Sequence, residues 1–167
     1  MPRRVVIDSL AFAREGGSLH GELPVAGLAR LLDALSDSGG SIVYRLRGLT
    51  GPRNEPRLFL EVDGALIVRC QRCLEGIVHP VGIRSLLELV GDEKEPTQEE
   101  IEDDAKDFLV AEKELDVVAL IEEELILALP VAPRHEDCAL PDAGDRLGET
   151  ESVSPFAALA GLKGKLG

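Results

Sequence analysis

The sequence predicts an α+β fold, a small antiparallel β-sheet that could close into a barrel, packed by two or three helices. Three observations predict it. Apolar residues alternate with polar ones in successive stretches between residues 18 and 90, the period of half-buried strands. Turn-forming clusters such as Ser38-Gly39-Gly40 and GPRNEPR (51–57) separate those stretches. One strong amphipathic helix follows, DVVALIEEELILALP (116–130). Residues 1–138 form one α+β domain carrying a mobile acidic insertion at 91–107, and 139–167 form a linker and a short C-terminal helix.

In SLHGELPV (18–25), Leu19, Leu23 and Val25 share one strand parity. From Val25 to Leu35 the apolar positions Leu28, Leu31, Leu32 and Leu35 fit i, i+3, i+4, i+7, which predicts a short amphipathic helix. SIVYRLRGL (41–49) then alternates, with Ile42, Tyr44 and Leu46 inward and Arg45 and Arg47 toward water. RLFLEVDGALIVRC (57–70) reads as one long strand kinked at Gly64 or as a tight hairpin around Asp63-Gly64. GIVHPVGIRSLLELV (76–90) returns as a strand, with Pro80 marking an edge or bulge. Residues 91–107 hold nine acids, two lysines and one large apolar residue, too little to offset the entropy of ordering.

In the helix over 116–130, Asp116 caps the N-terminus, Val118, Ile121, Leu125 and Ala128 form the apolar face, and Pro130 ends it. Glu122, Glu123 and Glu124 point in different directions as consecutive helical residues, so they read as a solvated face rather than an acid–base site. In SPFAALAGLK (154–163), Ser154 and Pro155 suit an N-cap and first helical residue. Phe156, Leu159 and Ala160 make a small apolar face there, and a short apolar helix after a loose linker either docks on its own domain or engages a partner. Pro155, Phe156 and Leu159 are its candidate partner-docking residues.

Composition narrows the function. The net charge is −13, but it is unevenly spread. Residues 1–90 carry eleven arginines, no lysine and ten acids, whereas 91–167 carry seven bases and twenty-one acids. Phosphate binding draws its affinity from cations, so only the first half could face a nucleic-acid backbone. No apolar run is long enough to span a bilayer, MPRRVVIDSL is too short in apolar residues for a signal peptide, and three cysteines fit a reducing compartment. A cytoplasmic protein is expected, with no membrane or small-molecule partner. There is no Gly-rich phosphate loop, no G-x-S-x-G elbow and no H-E-x-x-H helix, so no catalytic residue is assigned and no enzyme is expected.

The cysteines carry the sharpest signal. Cys70 and Cys73 sit in RCQRCLEG, at the expected tip of the antiparallel hairpin. VAPRHEDC (131–138) supplies His135 and Cys138 at the same spacing. Cys-x2-Cys with His-x2-Cys gives four donors of the right softness for tetrahedral zinc, and every cysteine would be used. Only tertiary structure could join the two halves. The alternatives are a redox pair, although the strand–motif–helix context is missing, or inert small apolar residues. His79 competes as a ligand.

CQRCLE (70–75), EEELILALPVAPRHEDC (122–138) and SPFAALAGLK (154–163) resemble, in that order, signature segments of the YceD-like large ribosomal RNA subunit accumulation proteins. The matching positions are Cys70, Arg72, Cys73, Glu124, Leu129, Pro130, Pro133, His135, Pro155 and Phe156. The resemblance implies a small cytoplasmic, non-enzymatic factor supporting synthesis, processing or stability of 23S ribosomal RNA and large-subunit assembly. Its partners would be ribosomal RNA, large-subunit ribosomal proteins, or both. Arg45, Arg47, Arg69 and Arg72 are the candidate contacts, because guanidinium pairs with phosphate bidentately. The alternative is a protein-only adaptor that holds a basic ribosomal protein through its acidic half.

Overall fold

The computed structural model describes residues 4–91 and 107–140. The acidic insertion falls outside them except for Gly91 and Asp107. The linker and C-terminal helix, with Pro155, Phe156 and Leu159, fall outside except for Ala139 and Leu140.

The main sheet has six strands. β2 (Ser18–Pro24), β4 (Ser41–Thr50), β5 (Pro56–Arg69), β6 (Gly76–Val90) and β7 (Asp107–Val110) lie side by side in that order, and β3 (Leu35–Asp37) pairs with the far half of β5. A second, two-stranded sheet joins β1 (Val6–Ile7) to β8 (Leu115–Asp116). Two α-helices complete the described residues, α1 (Ser9–Arg14) and α2 (Val117–Ala128). The sheet is open, not the barrel that the strand count allowed. β2 pairs only with β4 and β7 only with β6, so the two outer strands never meet. The sheet is also mixed, because β7 runs parallel to β6 from Leu87↔Asp107 to Val90↔Val110.

Alternation decides what the sheet buries. Ile42, Tyr44 and Leu46 of β4, Leu58, Leu60, Val62, Leu66 and Val68 of β5, and Val81, Ile83, Leu87 and Leu89 of β6 all point into one core. Each fully buried leucine contributes about 2 kcal/mol. Of the two readings for 57–70, the single strand is right. Its pairing runs unbroken through Gly64, with Ile42↔Gly64 on one side and Gly64↔Val81 on the other, so no kink interrupts the register.

The stretch 25–35 is not an α-helix. Leu28 N–H donates to Val25 O, Leu31 N–H to Leu28 O and Ala34 N–H to Leu31 O, at 3.0, 3.1 and 3.0 Å, all spanning three residues. Such 3-10 turns repeat every 3.0 residues. Val25, Leu28 and Leu31 are accordingly buried together while Leu32 faces out. Over ten residues, periods of 3.0 and 3.6 pick nearly the same apolar positions.

α2 starts where predicted, with Asp116 Oδ1 accepting from Val118 N at 3.0 Å and Ala119 N at 3.3 Å. It ends as Leu129 turns extended ahead of Pro130. Val118, Ile121 and Leu125 are buried, but Ala128 is exposed. Of the triple glutamate only Glu123 is a solvated residue, as expected. Glu122 is only 7% exposed and accepts from the Arg30 backbone N–H at 2.5 Å. Glu124 accepts from the Ser85 hydroxyl. Interior backbone donors must find an acceptor, and Glu122 supplies one to a turn ninety-two residues away. Among the described residues no helix is long and apolar enough to cross a membrane.

α1 packs across β4 and β5 at its closest approach over Gly48, whose N–H donates to Gly17 O at 2.8 Å. A Cβ on Gly48 would stand 2.1 Å from Phe12 O and 2.8 Å from Ala13 Cα, both backbone atoms that cannot rotate away. Gly48→Ala is therefore expected to destabilise the protein by about 2–3 kcal/mol in urea unfolding, in the range of core overpacking. Gly82→Ala, where a Cβ meets only Asp63 Oδ1 at 4.0 Å, is expected to change stability by less than about 0.5 kcal/mol.

Candidate metal centre

β5 and β6 form one long hairpin, in register from Arg57↔Glu88 to Arg69↔Gly76, and its connection is Cys70–Glu75. The connection closes on itself. Cys70 N–H donates to Glu75 O at 2.8 Å and Leu74 N–H to Cys70 O at 3.0 Å. Leu74 adopts a left-handed backbone, φ 66°, which costs a non-glycine residue about 1 kcal/mol. This geometry turns the amides of Arg72 and Cys73 back onto Cys70 Sγ, at 3.4 and 3.5 Å.

The second half of the site arrives from the end of α2. Beyond Pro130 the chain crosses the hairpin tip, where Gln71 N–H donates to Pro133 O at 2.8 Å. Cys138 Sγ then lies 3.8 Å from Cys70 Sγ, and His135 Nδ1 lies 3.3 Å from Cys73 Sγ. All four donor atoms fall within 4.8 Å of one another. The two halves that spacing alone suggested are thus brought together. His79 is not part of the cluster; it sits within β6 opposite Leu66. The strand–turn–strand setting of Cys70 and Cys73 is also not that of a thioredoxin-like redox motif.

These donors fit zinc in three respects. With Zn–S near 2.3 Å and Zn–N near 2.0 Å, a tetrahedron has S···S edges of about 3.8 Å and S···N edges of about 3.5 Å. The two contacts above are close to both. His135 Nε2 lies 3.2 Å from Gly76 O, so an Nε2–H donated there leaves Nδ1 as the ligand, the outer-shell partner that metal-bound imidazoles usually have. Finally, the segment 130–140 contributes no side chain to the buried apolar core, and Val131 and Leu140 are exposed. Hydrogen bonds alone hold it across the tip, which is the deficit a structural metal makes good.

The electrostatics follow the same geometry. Burial opposes ionisation of Cys70, but the Cys73 and Arg72 amides outweigh it and bring the thiol from the usual 9 to about 5. Burial pushes Cys138 up, and its hydrogen bonds to Cys70 and Cys73 and their charge add to that. Cys70 is thus ready as a thiolate. A bound cation would ionise Cys138 as well. An ion held here would have a protein donor at all four corners, an arrangement that suits a structural ion and leaves no open position for catalysis.

The arginine candidates separate into two places. Arg69 and Arg72 flank the tip, where Arg72 is exposed and Arg69 Nη2 reaches Leu35 O at 3.5 Å. Arg45 and Arg47 lie on the open sheet face, opposite Glu61 and Phe59. Arg47 sits over the Phe59 ring at 5.1 Å and pairs with Glu61 at 3.4 Å. Glu61 and Arg69 are eight residues apart on one strand, which places Arg45 about 27 Å from the tip. The backbone partners Pro133 O and Gly76 O carry no signal in the sequence, since any residue type supplies a carbonyl.

Purified protein is expected to hold about one zinc per chain by elemental analysis, and cobalt substitution to give tetrahedral thiolate absorption. Cys73→Ser or His135→Ala should lower the occupancy and the Tm together, whereas Arg72→Ala should leave both unchanged. A chain that is metal-free and equally stable after chelation would remove the ion from this site.

No solved structure matches the chain. The family model for the large ribosomal RNA subunit accumulation protein YceD matches residues 58–163, from β5 through the hairpin tip and α2 and on past both ligand pairs. With well over half of its length matched, this chain belongs to the YceD family of large ribosomal RNA subunit accumulation proteins.

Proposed function

We propose that the protein supports accumulation of 23S ribosomal RNA and assembly of the large subunit as a cytoplasmic, non-catalytic binding factor. In this reading a Cys3His zinc clamp stiffens the hairpin tip so that Arg69 and Arg72 meet phosphate in a fixed geometry. The observation that carries it is the convergence of both ligand pairs on a tip that also bears these two arginines. Family membership supplies the ribosomal context.

Ion pairing favours the tip over most of the sheet. Arg47, Arg57 and Arg84 are already paired with Glu61, Glu88 and Asp63. Arg45 and Arg72 have no ion pair among the described residues, so binding phosphate there breaks no existing contact. A guanidinium that must first leave a carboxylate gains less. The protein-only adaptor would draw on the acidic half, whose 91–107 run lies outside the described residues except for Gly91 and Asp107.

Each phosphate contact that is lost should flatten the salt dependence of binding by about one unit in log–log slope. Arg69→Glu with Arg72→Glu is expected to weaken binding to precursor 23S RNA at least tenfold and to cut that slope by about two, with zinc content intact. Arg45→Glu should have a smaller effect. RNA binding that ignores all three substitutions would refute direct phosphate contact and leave a protein partner as the route to the RNA.

A further inference from the structure

β6 is paired with β5 along most of its length, but on its other side β7 covers only Leu87–Val90. From Gly76 to Leu86 that edge has no strand partner among the described residues. α2 runs alongside it and leaves a groove of about 620 Å³ against the Gly82–Leu87 backbone, continued by a smaller hollow of about 150 Å³ beside His79–Ile83. The far wall is one flank of α2, with Leu120, Glu123, Leu127 and Ala128. Leu127 is 75% exposed. α2 has no basic residue, and Asp107 adds a further acid at the mouth of the groove. Exposed strand edges invite pairing with other chains, and natural proteins cover or block them. Pro80 removes one donor here and no more.

We propose that this groove is the seat of the chain's own C-terminal segment, residues 154–163 (SPFAALAGLK). Position argues for it first. Cys138 and His135 fix the chain at the hairpin tip, with His135 against Gly76 O, where the uncovered edge begins. The thirteen residues between Leu140 and Ser154 extend to at most about 45 Å. The uncovered edge from Gly76 to Leu86 is about 33 Å long, so the segment reaches any part of it. Charge argues for it second. Residues 154–167 carry Lys163 and Lys165 and no acid, which suits walls bearing Glu123, Glu124 and Asp107 against one cation, Arg84, itself paired with Glu61 and Asp63. Apolar content argues for it third. Phe156, Leu159 and Leu162 match the need of an exposed Leu127 for cover. The family match, which runs on to residue 163, takes in this segment together with β6 and α2.

Hydrogen exchange on the full chain, read by mass spectrometry, tests the seat. Phe156→Glu is expected to speed exchange at least tenfold in residues 79–86 and 120–128 while leaving β4 and the first half of β5 unchanged. Glu123→Lys should loosen the same regions, and adding Lys163→Glu to it should restore them. Should Phe156→Glu unfold the chain, which loss of protection in β4 would reveal, the Glu123–Lys163 charge swap decides alone. Exchange in 79–86 and 120–128 that is indifferent to all of these substitutions would overturn the proposal and show that another stretch or partner covers the edge. A concentration-dependent dimer that Phe156→Glu dissolves would also overturn it, by placing the segment in a second copy.

Discussion

The register between β5 and β6 is the constraint on which the rest depends. Thirteen consecutive residues pair without a bulge, from Arg57↔Glu88 to Arg69↔Gly76. A slip of one residue would turn Leu58, Leu60, Val62, Leu66 and Val68 out of the core and Arg57, Glu61 and Asp63 into it. The cost of that exchange, several buried leucines and three desolvated charges, holds the pairing in place. Everything functional is measured from this ruler. It sets the tip at Cys70–Glu75, sends the Arg45 and Glu61 side chains to the open face, and leaves Gly76–Leu86 of β6 without a second strand partner among the described residues.

The metal donors solve a problem that the core does not. A segment leaving α2 at Pro130 buries no apolar side chain in the core, with Val131 and Leu140 standing exposed. With an ion bound, four soft donors would replace that missing hydrophobic contact with coordination, which acts over one small volume and needs only two short pairs of residues. The left-handed Leu74 shows what the tip gives up for it. Its backbone strain persists because the hydrogen bonds of Cys70 to Glu75 and Leu74 to Cys70 close the turn around the sulfur. Full burial of Cys70 then becomes tolerable, since two amides stabilise its thiolate at the cost of little reorganisation.

Long elements were legible and short ones were not, for a physical reason. β4, β5 and β6 run ten to fifteen residues, long enough for a period of two to stand out. α1 has six residues and β1 and β8 two each, so they show no period at all. β7 was hidden because Asp107 closes a run of acids and only Phe108, Leu109 and Val110 follow it. The 3-10 turns were misread because ten residues cannot separate periods of 3.0 and 3.6. The ligand pairs were visible as residue types at matched spacing, while their meeting depended on the path from α2 back to the tip, a tertiary fact. Glu122 misled most instructively: a glutamate flanked by glutamates resembles a solvated face until a distant turn presents an unsatisfied N–H.

Charge distribution then limits what the partner can be. Across the open face, His20, Arg45, Glu61 and Arg84 stand in one cross-strand row, and Arg84 also reaches Asp63. Opposite charges in adjacent strands stabilise the sheet by tenths of a kcal/mol per pair, and in doing so they offset the charges of Arg47, Arg57 and Arg84. Arg45 on this face and Arg69 and Arg72 at the tip stay outside those ion pairs, about 27 Å apart along the sheet. On the function proposed above, an interface made of a few separated arginines would not bind polyanions indiscriminately, since non-specific affinity grows with the number of phosphates engaged at once. It can select a ligand whose phosphates are presented at that separation. A folded RNA does so through its shape, which fits a factor whose family is named for one particular ribosomal RNA.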